Sequence, residues 1–443
     1  MNFSYYQSWF DAVEFMRRHE QVYEAIGNEA VAVVQGGGPV AGFETFRQTN
    51  DFFYLCGVEV PQAYLVLDAR SRGAILYLPH RDVCMASIEG REPCLEDHDE
   101  LMALTGCIDV RALECLEKDL QHVSILYTPY APTEGALACQ DTLRHQTKLN
   151  NTDPWVNHQS REAFFCAKLK ERIAGVEVRD LSPILFGLRL HKSDAEIRLM
   201  RQTGKLSAMG VIEAMKQTRA GMYEYQLGAI ADKLFIENGA RGAGYRPIIA
   251  AGRNIWMMHY YRNNCLLEEG EWVLMDYAPD LCNYTNDIGR MWPVNGRYSP
   301  VQRELYGVVV KYHQTLLEVL RPGVLPGELL KEAAQKMEPY LKTQPFSKAI
   351  YETAVKRMMA SDKALTHPVG LSVHDGSAYT DKSNPFKPGL AFALDPQLWV
   401  PEEELYVRVE DTVVITEQGV ESFTSLAPHE LDEVEALVGK GCR

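Results

Sequence analysis

The chain has 443 residues, 46% of them hydrophobic and 24% charged, which suits two or three folded domains of ordinary size. A formal net charge of -15 argues against a nucleic acid or an anionic membrane as the main partner. MNFSYYQSWFDAVEFMRRHE lacks the basic-then-apolar order of a signal peptide, and no long uncharged apolar run suggests a membrane span. The ten cysteines, spread from Cys56 to Cys442 without a C-x-x-C pair, read as reduced thiols of a cytoplasmic chain.

From Val31 to Leu78 the pattern is strand-rich: AVAVVQGG, DFFYLCGVEV, AYLVLDA and GAILYLP, separated by Gly, Pro and Asp-Ala-Arg breaks. LEDHDELMALTG and DTLRHQTKLN read as helix or loop. This alternation predicts an α/β N-terminal domain over residues 1–160. Charged and apolar residues at helical spacing predict a linker helix over 161–187.

A second domain, 188–443, opens at LHKSDAEIRLMRQTGKL. There Ser193 stands three residues before Glu196 as a capping box, ahead of the apolar stripe Ile197, Met200 and Leu206. A second box, Ser299 with Gln302 and Pro300 at the first helical position, opens SPVQRELYGVVVKYHQTLLEVLRPG. Each helix runs into a related sequence. Arg219, Gly221, Leu227 and Ala231 match Arg321, Gly323, Leu329 and Ala333, all at one offset (321 − 219 = 102). The matches predict a duplicated helix–helix–sheet unit with a site between its halves.

A β-rich segment follows each pair of helices. In EWVLMDYAPDLCNYTNDIGRMWPVNG, Asp276 and Asp287 end apolar runs around a turn at Pro279, Asp280 and Asn283, so a hairpin would set the two carboxylates side by side. THPVGLSVHDG supplies His367 and His374. AFALDPQLW is a buried strand carrying Asp395, a charge that must be paired, protonated or bound to metal. In LYVRVEDTVVITEQG, Arg408 and Glu410 share one face of a strand by period two, with Val407 and Val409 on the other. Alone, each signal has a bland reading: a turn cap at Asp276, an Arg408–Glu410 ion pair, a hydrogen-bonded turn at His374-Asp375. Together, four carboxylates and an imidazole are the donor set for a pair of divalent cations that activate water for hydrolysis.

These segments carry a resemblance. VLMDYAPDLCNYTNDIGRMWPVNG, HPVGLSVHDG, LDPQLW and VRVEDTVVITEQGVESFT, with IIAAGRNIWMMHYYRN before them, resemble the catalytic domain of the aminopeptidase P and prolidase family. These are the pita-bread metallopeptidases, which include methionine aminopeptidase and creatinase. FRQTNDFFYLCGVEVPQAYLVLD resembles the smaller leading domain of aminopeptidase P. The resemblance implies an N-terminal creatinase-like α/β domain followed by a duplicated pita-bread catalytic domain, α/β (α+β) overall. It implies Asp276, Asp287, His367, Asp395 and Glu410 as ligands of two divalent metal ions, manganese first, with zinc, cobalt or iron as alternatives. His259 and His374 fall on substrate-facing positions, and Arg408 on the arginine that supports the ligands from behind.

Two positions depart from the family pattern. Asp395 stands where a glutamate of a Glu-Pro-Gly element is usual, with Gln397 and Trp399 beyond it. Gly289 stands where a threonine of Asp-Ile-Thr-Arg is usual. The implied activity is release of the N-terminal residue before proline, with Asp395 or Glu410 relaying protons. The implied partners are a small peptide and further copies of the chain in a dimer or tetramer. A dipeptide-cleaving prolidase, a non-peptidase hydrolase or lyase on the same scaffold, and a binding protein without catalysis are the alternatives.

Overall fold

The computed structural model describes residues 7–40, 43–155, 159–376 and 383–441, so Cys442 lies outside the described residues. Two compact units divide the chain, Met1–Arg189 and Leu190–Arg443.

The first unit is built on a six-stranded sheet. Its strands are β1 (Val31–Gln35), β2 (Tyr64–Asp68), β3 (Gly73–Leu78), β4 (Asp109–Ala112), β5 (Ile125–Thr128) and β6 (Glu177–Asp180), in the order β4-β3-β2-β1-β5-β6. The β1–β2 and β2–β3 pairs are antiparallel; β3–β4, β1–β5 and β5–β6 are parallel. Three of the four expected strand segments are strands. The fourth, DFFYLCGVEV, instead supplies the helix Asn50–Cys56, buried on every side and closed by Gly57 at φ 68°, whose N–H bonds Phe53 O. A short apolar run buried all round has no period that tells helix from strand, and the left-handed glycine directly behind it decides for a helix end. No disulfide joins the cysteines of the described residues.

The second unit opens on the helix Asp194–Gln217, with the Ser193–Glu196 capping box in place, and the box at Ser299 and Gln302 opens the helix Pro300–Val319. Each is followed by a second helix, Glu224–Glu237 and Pro326–Thr343. The matched glycines before these, Gly221 and Gly323, have φ 83° and 80°, and the matched Leu227, Ala231, Leu329 and Ala333 are all fully buried. The repeat is therefore structural: one turn conformation and one buried helix face, used twice.

The strands of this unit are β7 (Gly242–Ala243), β8 (Ile248–Ala251), β9 (Trp272–Asp276), β10 (Pro279–Asp280), β11 (Ile288–Pro293), β12 (Leu365–Pro368), β13 (Ala391–Leu394), β14 (Gln397–Val400), β15 (Leu405–Arg408), β16 (Glu410–Ile415) and β17 (Val420–Ser422). The main sheet runs β12-β13-β16-β11-β9-β8, with β17 also on β16. Side chains of the helices, among them Val211, Phe235, Val309 and Leu329, share one core with Ile249, Leu274, Met291 and Val413 of the sheet. LYVRVEDTVVI, expected as one strand, divides at Val409: Arg408 ends β15, paired with β14, whereas Glu410 starts β16 in the main sheet. AFALDPQLW divides likewise at Asp395-Pro396, because proline cannot donate to a ladder.

Candidate metal centre

The antiparallel pairing of β9 with β11 brings Asp276 and Asp287 together, as their spacing predicts. The Tyr245 hydroxyl lies 2.7 Å from Asp276 Oδ1 and 3.3 Å from Asp287 Oδ1. On its other side β11 pairs with β16, so Gly289 stands opposite Asp276 in one ladder and opposite Glu410 in the other. Asp276, Asp287 and Glu410 are all buried, and one carboxylate oxygen of each lies within 4.8 Å of the other two.

Arg408 occupies the middle of this group. Its Nη1 donates to Asp276 Oδ2 at 2.9 Å, its Nε to Asp395 Oδ1 at 3.0 Å and its Nη2 to Asp395 Oδ2 at 2.8 Å, and it forms an ion pair with Glu410. Gln397 donates its amide to Asp395 as well, and the Trp399 indole donates to Gln397 Oε1 at 3.3 Å. One guanidinium cannot neutralise four carboxylates. Burial pushes the carboxyl groups of Asp287 and Glu410 well above the usual range, and neighbouring carboxylates push the same way. Burial raises Asp395 too, against the opposing pull of Arg408. Both Glu410 oxygens are buried without a hydrogen bond. A buried carboxylate whose compensating contact is a guanidinium shared with Asp276 and Asp395, in a group with excess negative charge, fits a site for a cation.

The histidines approach from the other side. His367, on β12, has Nε2 3.4 Å from Asp287 Oδ2, and the His374 ring lies 3.8 Å from the His367 ring, centroid to centroid. The odd sequence separation on extended chain required a bend between them, and 369–375 is a loop rather than strand. Asp375 anchors that loop: its backbone N–H bonds Pro368 O at 2.9 Å and its carboxylate meets Lys192 Nζ at 3.0 Å. A β-carbon at Gly370 would lie 2.4 Å from Asp375 Oδ2, so glycine is needed there. Asp287, His367 and His374 form a second group whose ligand atoms lie within 4.8 Å of one another. His259, on the exposed loop after β8, is 6.2 Å from His374 between ring centroids.

The residues singled out in the sequence thus converge in one unit, with Asp395 joined to the others through Arg408. Tyr245, Gln397 as a partner of Asp395, and Thr412, whose hydroxyl accepts from the Asp287 amide at 2.6 Å, lack a local pattern that marks them. A separate buried cluster joins His313, Asp411 and His429. There Arg290 already supplies the cation, 2.6 Å from Asp411 Oδ1, while Thr424 donates to the same oxygen at 2.5 Å. Burial would raise the Asp411 carboxyl, but Arg290 and His313 hold it well below the usual range. Burial and Arg290 press His429 down to about 3. This network ties β11 to β16 directly behind the carboxylates.

Comparison with known proteins agrees over the same residues. Residues 198–417 match metallopeptidase family M24, and residues 15–126 match the aminopeptidase P N-terminal domain. The Xaa-Pro aminopeptidase of Haemophilus influenzae is 30% identical over 89% of this chain and 88% of its own. Human Xaa-Pro aminopeptidase 3 is 31% identical over 89% of this chain and 77% of its own. Among solved structures, aminopeptidase P from Escherichia coli with the inhibitor Pro-Leu aligns with a TM-score of 0.78 at 26% identity, over 97% of this chain and 98% of that one. With matches to both of its domains and to relatives over most of its length, the chain belongs to the aminopeptidase P family of M24 metallopeptidases.

Proposed function

We propose that the protein is a metal-dependent Xaa-Pro aminopeptidase that releases the residue preceding a proline at the N-terminus of a small peptide. The observation that carries this is the buried carboxylate group Asp276, Asp287 and Glu410, whose negative charge exceeds what the shared Arg408 guanidinium can offset. Asp276, Asp287, His367, Asp395 and Glu410 would hold two divalent ions, manganese in preference to zinc, cobalt or iron. Bound there, such ions polarise a carbonyl and lower the pKa of water toward neutrality. The protein's own groups then have separate tasks. Tyr245 aligns Asp276 with Asp287, and Arg408 restrains Asp395 while offsetting its charge. Asp395 or Glu410, both buried and in contact with Arg408, would take a proton from the attacking water and pass it to the leaving proline nitrogen. His259 and His374, 6.2 Å apart between ring centroids, would donate ring N–H groups to the oxygen of a tetrahedral intermediate.

The protein is expected in the cytoplasm as a homodimer or homotetramer; no described helix is long and apolar enough to cross a membrane. The test is a substrate panel on metal-loaded protein: Xaa-Pro-Xaa peptides, Xaa-Pro dipeptides, peptides without proline, and small amidino or sulfonio compounds. Cleavage of the first class, lost on chelation and restored by manganese, is expected. Turnover confined to dipeptides makes the enzyme a prolidase, and turnover confined to the last class makes it a non-peptidase.

A further inference from the structure

The helix Glu224–Glu237 begins on a fully buried carboxylate, although Tyr223 and Tyr225 on either side are exposed and stack on each other at 5.2 Å. Glu224 turns inward and accepts four hydrogen bonds. Oε1 receives Ala251 N at 2.8 Å and Asn254 Nδ2 at 2.9 Å; Oε2 receives the Tyr260 hydroxyl at 2.9 Å and Cys265 N at 2.9 Å. All four donors belong to residues 251–265, the stretch that carries His259. Ala251 ends β8 at the entrance to the loop, and Cys265 lies at its exit, where Cys265 O also accepts from Glu224 N at 2.9 Å. Asn254 and Tyr260 are the two side chains inside. One carboxylate therefore closes both ends of the loop and ties down its interior.

The arrangement is satisfied rather than strained. A carboxylate has about four acceptor sites, and all are used. The first turn of a helix also favours negative charge. His259 itself is exposed, between the exposed Met258 and the buried Tyr260. Its position is set by the backbone on which it stands, and that backbone is fixed through Glu224.

We propose that Glu224 is a positioning residue for the reaction: its carboxylate holds the 251–265 loop so that His259 meets the substrate, and its loss acts through His259. This rests on the reading of His259 as a substrate-facing group. Glu224→Gln changes one acceptor oxygen into an NH2 group that faces two donors. The amides of Ala251 and Cys265 should then exchange with solvent about tenfold faster or more, metal content should stay at the parental level, and kcat/KM on an Xaa-Pro-Xaa peptide should fall about 10- to 100-fold. In a His259→Ala background, Glu224→Gln should add less than about a threefold further loss, because both changes remove one function. Should Glu224→Gln not fold, Tyr260→Phe removes a single donor; it should speed exchange at Cys265 and cause a smaller loss that His259→Ala also absorbs. Unchanged exchange, or losses that multiply in the double variant, overturns the proposal. Parental activity in His259→Ala overturns it as well, whereas activity indifferent to chelators sinks the metallopeptidase reading itself.

Discussion

Arg408 grips Asp395 with two edges of its guanidinium, Nε to Oδ1 at 3.0 Å and Nη2 to Oδ2 at 2.8 Å. With Gln397 as a third donor, the short carboxylate is enclosed in a bonded pocket and is 1% exposed. Asp395→Glu forces an extra methylene into that pocket, against Arg408 and Gln397. A loss of about 1–3 kcal/mol is expected, with lower metal content and slower peptide cleavage. Adding Gln397→Gly, the residue usual at that position, should recover part of both. Denaturant midpoints and metal analysis read the outcome; a glutamate variant equal to its parent in stability, metal and activity would separate Asp395 from the site.

Gly289 should not tolerate a side chain. A β-carbon there would lie 3.1 Å from Glu410 Cβ and Oε2 and 3.3 Å from Arg408 Nε, atoms held on a central strand and in a buried ion pair. Gly289→Ala should therefore lower stability by about 1–2 kcal/mol. The loss should persist in chelator, because it arises from crowding and not from metal. Thermal midpoints with and without chelator decide this, and an unchanged midpoint in chelator is the adverse result.

The two neighbouring histidines should separate by readout. His367 sits closest to Asp287, and His367→Ala is expected to lower metal content. His374 lies between His367 and His259, so His374→Ala is expected to reduce turnover about 100-fold or more while retaining metal. Its ligand atoms are nonetheless near enough to Asp287 to make metal content the decisive measurement. Equal metal loss in both variants would make His374 a ligand.

Acid should weaken the first unit through His19. This buried ring bonds Leu55 O at 2.7 Å, and burial lowers its pKa from 6.5 to about 4. The unfolded chain takes up a proton near pH 6.5 and the folded one only near pH 4. The stability that depends on His19 is therefore complete above pH 6.5 and disappears between pH 6.5 and 4, on the order of 3 kcal/mol at most. His19→Gln keeps a donor for Leu55 O and cannot titrate. The gap between parent and variant in denaturant midpoint should change across that pH window by a comparable amount, and a constant gap would show that His19 does not control it.

What the sequence reveals depends on how local the physics is. Asp276, Asp287, Asp395 and Glu410 stand out because each interrupts or ends an apolar run, and a buried charge needs a partner wherever the run goes. The capping boxes at Ser193 and Ser299 are legible because cap and partner lie three residues apart. Tyr245 has no such signal: its partner Asp276 is 31 residues away, and a lone tyrosine before Arg-Pro looks like any other. Glu224 lies in an ordinary helix-opening sequence, and only the return of the chain at Cys265 discloses that its side chain is buried. Period two put Arg408 and Glu410 on one face of one strand; the strand instead divides between them to join two different sheets, and their side chains meet as an ion pair.

The strand order also governs when the protein can first hold an ion. The Asp287 amide meets the Thr412 hydroxyl 125 residues further along, and β16, with Glu410, is inserted beside β11 only after nearly all of the chain exists. During synthesis the first hairpin presents Asp276 and Asp287 without Glu410, Arg408 or His367. Ion binding is therefore expected to follow the pairing of β16 with β11. A nascent chain stalled before β13 lacks Asp395, Arg408 and Glu410 and is expected to bind divalent ions more weakly than the full chain.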